Sequence, residues 1–164
     1  MSLVVYAPNT VVNDHNPTLF LAGSIEMGKA EDWQQAVITM LEGEKITIYN
    51  PRRRDWDSSW KQSKDNPQFR EQVEWELTHI HNTSFVMFYF QPGTLSPISL
   101  LELGSVCNDP GSTPIVICPE GFWRKGNVDI YCEYLGVPVY DTLEEGIKKL
   151  KQELNESTTI NRLL

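Results

Sequence analysis

The run "SFVMFYFQPGTLSPISLLELGS", residues 84–105, carries a strand, a loop and the first turns of a helix, and its reading decides the fold. Its opening, "SFVMFYF", is the most hydrophobic stretch of the chain and predicts a central strand buried on both faces. Ser96 is a good N-cap residue and Pro97 a good first helical residue, so a helix is predicted from about 97 to 108. Glu102 stands among leucines in the second turn of that helix. Ile98, Leu101, Glu102 and Ser105 fall on one helical stripe, with Leu100 and Leu103 on its flanks, which predicts a carboxylate shielded from bulk water. The positive end of the helix dipole lies close by and favours its ionised form. That environment suits a nucleophilic carboxylate, and it also suits an outward-turned glutamate or a structural acid bonded to a backbone N–H.

Outward from this run, short β-branched and aromatic stretches alternate with segments of helical period. "TLFLAGS" (18–24) reads as a buried strand, and a helix over 29–42 follows, with Trp33, Val37 and Leu41 recurring every fourth residue. "KITIYNP" (45–51) is a second strand; a polar loop then leads to a helix over 67–82 with Phe69, Val73, Leu77 and Ile80 on one stripe. Beyond the quoted run come the strand "TPIVICP" (113–119), a helix near 127–135, the short strand "VPVY" (137–140) and a last helix over 142–154. "LVVYAP" either adds an edge strand or packs across the sheet, and "NESTTINRLL" either frays or docks on a neighbouring subunit. This alternation predicts an α/β fold, a flavodoxin-like or Rossmann-like three-layer sandwich with a five-stranded parallel sheet, in one domain over residues 1–164. Ligands of such sheets bind at the carboxyl ends of the strands, which directs attention to the loops after Ala22, Tyr49, Phe90 and Pro119.

Composition narrows the function. The chain has 164 residues, 40% of them hydrophobic, enough for one good core. A net charge of −8 and a pI near 4.8 argue against nucleic acid or an anionic membrane surface as the main partner. With no apolar run of about 18 residues and no signal-like start, the expected location is cytoplasmic and the expected ligand a small molecule. Cys107, Cys118 and Cys132 lack metal-ligand spacing and sit in apolar contexts that suit reduced thiols; His15, His79 and His81 form no zinc signature. Neither GxGxxG nor GxxxxGK[ST] occurs, which disfavours a dinucleotide or a nucleoside triphosphate. No metal or organic cofactor is expected.

Three further groups of residues face the predicted mouth. Gly23 and Ser24 of "AGSIEMG" place a small backbone and a hydroxyl beside a helix N-terminus, although a tight turn alone also calls for glycine. Glu76 lies between Val73 and Ile80 on the apolar stripe of its helix, while Glu71, Glu74 and Thr78 face water. Glu76 and Glu102 therefore make a pair of shielded carboxylates on neighbouring helices, the usual equipment for breaking a glycosidic bond. In "NPRRRDWDSSW" (50–60), Trp56 and Trp60 can stack on a flat base, Asp57 can read its edge, and Arg52, Arg53 or Arg54 can meet a phosphate, with Asn50 nearest the strand end. The plainer reading is a solvated turn whose tryptophans cover the sheet edge. "PEGFWRKGN" (119–127) can close over the same mouth or contact a partner subunit.

The segment "EWELTHIHNTSFVMFYFQPGTLSPISLLELGS" resembles the nucleoside 2-deoxyribosyltransferase family, in which an acid, a strand, a loop and a glutamate in an E-[LI]-G helix follow at this spacing. "FLAGSI" resembles the family's sugar-binding first loop, and the similar order runs from about residue 17 to 150. The resemblance implies that Glu102 of "LELG" attacks C1′ of a 2′-deoxynucleoside, expels the base and holds the sugar as an ester until another base or water takes it. It also implies a homo-oligomer with sites near subunit contacts. Glu76 stands where the family carries a base-contacting aspartate, Ser96 where it carries a sugar-contacting aspartate, and Leu19 near a tyrosine position. The serine suits a 5′-phosphate, as in the related deoxynucleoside 5′-monophosphate N-hydrolases. On this reading Gly23, Ser24, Ser96 and Ser99 shape the sugar or phosphate pocket. Two other readings stay open: a non-catalytic nucleotide-binding module, and an N-glycosidase for a different N-riboside.

Overall fold

Strand periodicity of two sorts the apolar side chains onto opposite faces of one sheet, and the helices cover both. The computed structural model of the chain describes residues 1–10, 15–25 and 30–163. In chain order its elements are β1 (Leu3–Tyr6), β2 (Thr18–Gly23), α1 (Trp33–Met40), β3 (Thr47–Asn50), α2 (Pro67–Ile80), β4 (Phe85–Tyr89), α3 (Pro97–Cys107), β5 (Thr113–Ile117), α4 (Lys125–Tyr134), β6 (Val139–Tyr140) and α5 (Leu143–Leu163).

All strand pairs are parallel, in the order β1-β3-β2-β4-β5-β6. Without β1 this is the flavodoxin order, and the chain reverses its direction of travel between β2 and β4. The sheet has six strands rather than five, because "LVVY" pairs with β3 in the register Leu3–Thr47 to Tyr6–Asn50 and becomes the edge strand. Leu19, Leu21, Ile46, Ile48, Met87, Ile115 and Ile117 pack against Trp33 and Val37 of α1, Leu41 at its C-cap, and Ile147, Leu150 and Leu154 of α5. Phe20, Ala22, Val86, Phe88, Val116 and Cys118 form the opposite core with Trp75 and Ile80 of α2, Leu103 and Val106 of α3, and Val128 and Cys132 of α4. Cys118 and Cys132 are buried and Cys107 is half-buried; all three are free thiols.

Three expectations are corrected in detail. The first helix begins at Trp33, capped by Asp32 accepting from the Gln35 backbone N–H; residue 29, its expected start, lies outside the described residues. The last helix runs on to Leu163 instead of ending near 154, since its polar segment contains no breaker. The buried face of α2 is Gln72, Trp75 and Ile80 rather than the stripe through Val73 and Leu77, and Leu77 is 51% exposed. Trp75 sets this rotation: its ring packs on Phe20 at 6.1 Å and its indole N–H donates to the Asn9 carbonyl at 2.7 Å.

Gly23 ends β2 with φ 144°, and a Cβ there would overlap the Tyr89 carbonyl oxygen and lie 2.8 Å from the Tyr89 nitrogen. Those atoms belong to the adjacent central strand and cannot give way without breaking the ladder. Gly23→Ala is therefore expected to lower unfolding stability by roughly 3 kcal/mol or more, as read by urea denaturation. A loss below about 1 kcal/mol would mean that the β2–β4 contact is looser than described.

Candidate active site

The switch point between β2 and β4 is lined by hydroxyls. Ser24, just past β2, is fully buried, and its Oγ lies 2.7 Å from both Thr94 Oγ1 and Ser96 Oγ. The Gln91 backbone N–H donates to Ser24 Oγ at 2.9 Å, and Thr94 Oγ1 donates to the Gln91 carbonyl at 2.8 Å. With the Thr94 hydrogen committed to that carbonyl, Thr94 Oγ1 acts as an acceptor towards Ser24 and Ser96, and Ser24 can also donate to the Tyr89 carbonyl at 3.4 Å. Trp33 fixes the floor by donating its indole N–H to the Ser24 carbonyl at 2.9 Å.

Ser96 occupies the N-cap position of α3 but makes no side-chain cap, which corrects the expected role of its hydroxyl. Its backbone is left-handed (φ 48°, ψ 48°), a conformation that costs a non-glycine residue and aims the side chain at Ser24 and Thr94. Pro97 needs no N–H partner, so the first turn of α3 tolerates the lost cap. Thr94 was not among the sequence candidates. Its only signal was a hydroxyl residue in the loop beyond a central strand.

Glu102 follows on α3, yet the stripe expected to shield it is not the buried one. Ile98 and Leu101 are 60% and 72% exposed; the buried face is Ser99, Leu103 and Val106, and Glu102 borders it half-buried. Even so, burial of its carboxyl, and secondly the negative charge of Glu76, push the Glu102 pKa up to about 8. Glu76, also half-buried, is pushed upward by burial and partly drawn back by its hydrogen bond from Gln72. Acids 26 positions apart in sequence are thus close enough for the charge of Glu76 to raise the pKa of Glu102.

This pair has a consequence for stability. A carboxyl whose folded pKa is raised binds more protons folded than unfolded between pH 4.5 and about 8, so its contribution to stability falls as pH rises through that window. Glu102→Gln removes the liability. The variant should match the wild type near pH 4.5 and exceed it by up to a few kcal/mol at pH 8.5, as measured by denaturant unfolding at both pH values. A gap that does not widen with pH would show that the carboxyl is not held in a desolvated place.

The loop after β3 is built differently. Asn50 is buried and accepts from the Arg52 backbone N–H at 2.9 Å. The Arg52 guanidinium donates to the Ala30 and Glu31 carbonyls and to Gln34 Oε1, and lies 3.9 Å from Asp32, so it fastens the entry to α1. Arg53 pairs with Asp55 and Glu71 and lies over the Trp60 ring, and Arg54 lies over Tyr6. Trp56 meets Trp60 edge-on at 5.2 Å, with its indole N–H buried and unpartnered among the described residues. Asp57 is exposed and accepts from the Ser59 N–H. The described structure therefore brings Ser24 and Ser96 together, and separately Glu76 and Glu102, while the arginines engage other parts of the chain. The "PEGFWRKGN" loop reaches the mouth through Trp123, whose indole N–H donates to the Leu95 carbonyl at 3.0 Å. Among the described residues no His/Cys/Asp/Glu cluster could hold a metal, and no helix is long and apolar enough to cross a membrane.

A flavodoxin-order sheet, with a hydroxyl cluster at its switch point and two desolvated carboxyls on the adjoining helices, puts the chain in the α/β class whose small-ligand sites lie at such switch points. Within that class the chain belongs to the family described as "Nucleoside 2-deoxyribosyltransferase like", whose model matches residues 16–122. The matched span includes β2, both acids and the hydroxyl cluster. Membership supports nucleoside glycosyl transfer in general as the role, with a nucleoside-type small molecule as ligand. No curated protein matches the chain.

Proposed function

We propose that the protein cleaves, or transfers, the N-glycosidic bond of a (2′-deoxy)nucleoside or its 5′-monophosphate through a covalent glycosyl ester on Glu102. The observation that carries this reading is the carboxyl pair: burial pushes both acids upward and the charge of Glu76 opposes ionisation of Glu102, so one is readily charged while the other is neutral. At rest Glu102, raised to about 8 beside the charge of Glu76, is the protonated member; with substrate bound, the positive charge growing at C1′ and the helix dipole favour Glu102 as the anion. Glu76 then carries the proton.

In the first displacement a Glu102 oxygen forms a bond to C1′ as the C1′–N bond breaks. The bonding pair leaves with the base, which takes the proton of Glu76. In the second, water or another base attacks C1′ and releases Glu102, and Glu76 recovers a proton from the incoming group. Ser24 and Ser96, with Gly23 and Ser99 beside them, shape the sugar or phosphate end. Asn50, Trp56 and Asp57 form the base side. Nothing in these two displacements calls on a metal or organic cofactor.

The test is chromatographic. Incubation with a panel of nucleosides and 5′-monophosphates, with and without a second free base, should release base; a new nucleoside appearing only with added base identifies a transferase rather than a hydrolase. A ligand that binds but is not consumed would replace catalysis with a binding role.

A further inference from the structure

The amide of Gln72 stands one helical turn before Glu76 and touches it. Gln72 is 4% exposed, and its Nε2 donates one hydrogen to Glu76 Oε1 at 2.8 Å and the other to the Pro51 carbonyl at 2.9 Å. Both N–H groups are thereby used. The amide cannot turn over, because that would set its own oxygen against the Pro51 carbonyl, two acceptors facing each other. Gln72 Oε1 meanwhile is buried with no partner among the described residues. A glutamine that served packing alone would gain by pairing both ends, and an apolar residue of the same size would carry no unpaired oxygen.

We infer that Gln72 is a positioning residue: its locked amide holds Oε1 of Glu76 as an acceptor, so the exchangeable proton of that acid sits on Oε2, and the amide stabilises the carboxylate left when the proton departs. The inference rests on the role of Glu76 in the proposed reaction. The carbonyl oxygen of a neutral carboxyl is a better acceptor than its hydroxyl, and a hydroxyl hydrogen directed at the Gln72 N–H would clash with it, so a neutral Glu76 favours its hydrogen on the other oxygen. When that hydrogen moves to the departing base, charge develops on a carboxylate already bonded to an N–H, and the bond strengthens in the transition state. Gln72 thus makes Glu76 a stronger acid and, by the same amount, a weaker base when it takes a proton back. The Pro51 carbonyl links this setting to the loop after β3, where the base side is proposed.

Gln72→Met removes the donors at nearly constant volume and also removes the unpaired oxygen, so the fold should hold. Two measurements decide. The first needs no activity: the side-chain carboxyl carbon of Glu76, followed by NMR against pH, should titrate at higher pH in Gln72→Met than in the wild type. The titratable group facing Glu76 from α3 is Glu102, and it is unchanged in both proteins. The second compares substrates: turnover of a nucleoside whose base must be protonated should fall about tenfold, while one with an activated leaving group that departs as a stable anion should change less than about twofold. A titration that stays put or moves down, or an equal loss on both substrates, would overturn the inference. If Gln72→Met does not fold, Gln72→Asn, whose amide falls one methylene short of Glu76, must give the same upward titration. Failure of the wild type to turn over any substrate would remove the proposed reaction, and the titration would still decide whether Gln72 governs Glu76.

Discussion

Glu102→Gln is expected to lower turnover of a (deoxy)nucleoside or its monophosphate by roughly a thousandfold or more, with substrate binding changed little. The size follows from the role assigned: the amide cannot form the glycosyl ester, and what remains is positioning and desolvation. Glutamine preserves the volume at the edge of the Ser99–Leu103–Val106 face, so the loss cannot be laid to a cavity. Rapid-mixing kinetics and intact-mass analysis of the wild type should show a burst of base and a protein heavier by one sugar, both missing in the variant. Residual activity within about tenfold of the wild type would rule out the covalent ester on this residue and leave Glu102 as a structural acid.

The second large effect is expected at Glu76. Glu76→Gln removes the proposed proton donor and should cost about a hundredfold on substrates whose base leaves poorly without protonation, and far less on activated leaving groups. It also removes the negative charge that helps raise the Glu102 pKa, so Glu102 should ionise at lower pH. The sign is definite: with the repelling neighbour gone, the rise of activity with pH that reports ionisation of Glu102 moves to lower pH. Pre-steady-state base release measured across pH on an activated substrate would show it. A rise that stays in place or moves upward would mean that the two carboxyls do not share a field.

Much of the fold was legible locally. "SFVMFYF" and "TPIVICP" are apolar on both strand faces, as the interior strands of a parallel sheet must be, and β4 and β5 are interior strands. The register of Trp33, Val37 and Leu41 marks the buried face of α1, with Ile38 and Met40 on its flanks only partly buried. On α3 the pattern is uninformative. Nearly every position there is apolar, so periodicity cannot choose a face, and packing on β4 and β5 turned Ser99, Leu103 and Val106 inward and left Ile98 and Leu101 outside. On α2 a glutamine took a buried place that hydropathy would give to Leu77, since the Pro51 carbonyl and Glu76 supply its hydrogen bonds.

The sequence by itself determined the alternation of strands and helices, the family, and the placement of Glu102 within "LELG", because each is written in neighbouring residues or in a fixed spacing. Tertiary structure alone decided which strand lies at the edge, which side of α3 is buried, that Ser96 faces Ser24 instead of capping its helix, that Thr94 joins Ser24, and that Gln72 touches Glu76. The physical reason is range and direction. Ser24 meets Thr94 and Ser96 across 70 and 72 residues of chain, through hydrogen bonds whose geometry depends on a left-handed backbone at Ser96. Local periodicity holds no record of contacts made at that distance.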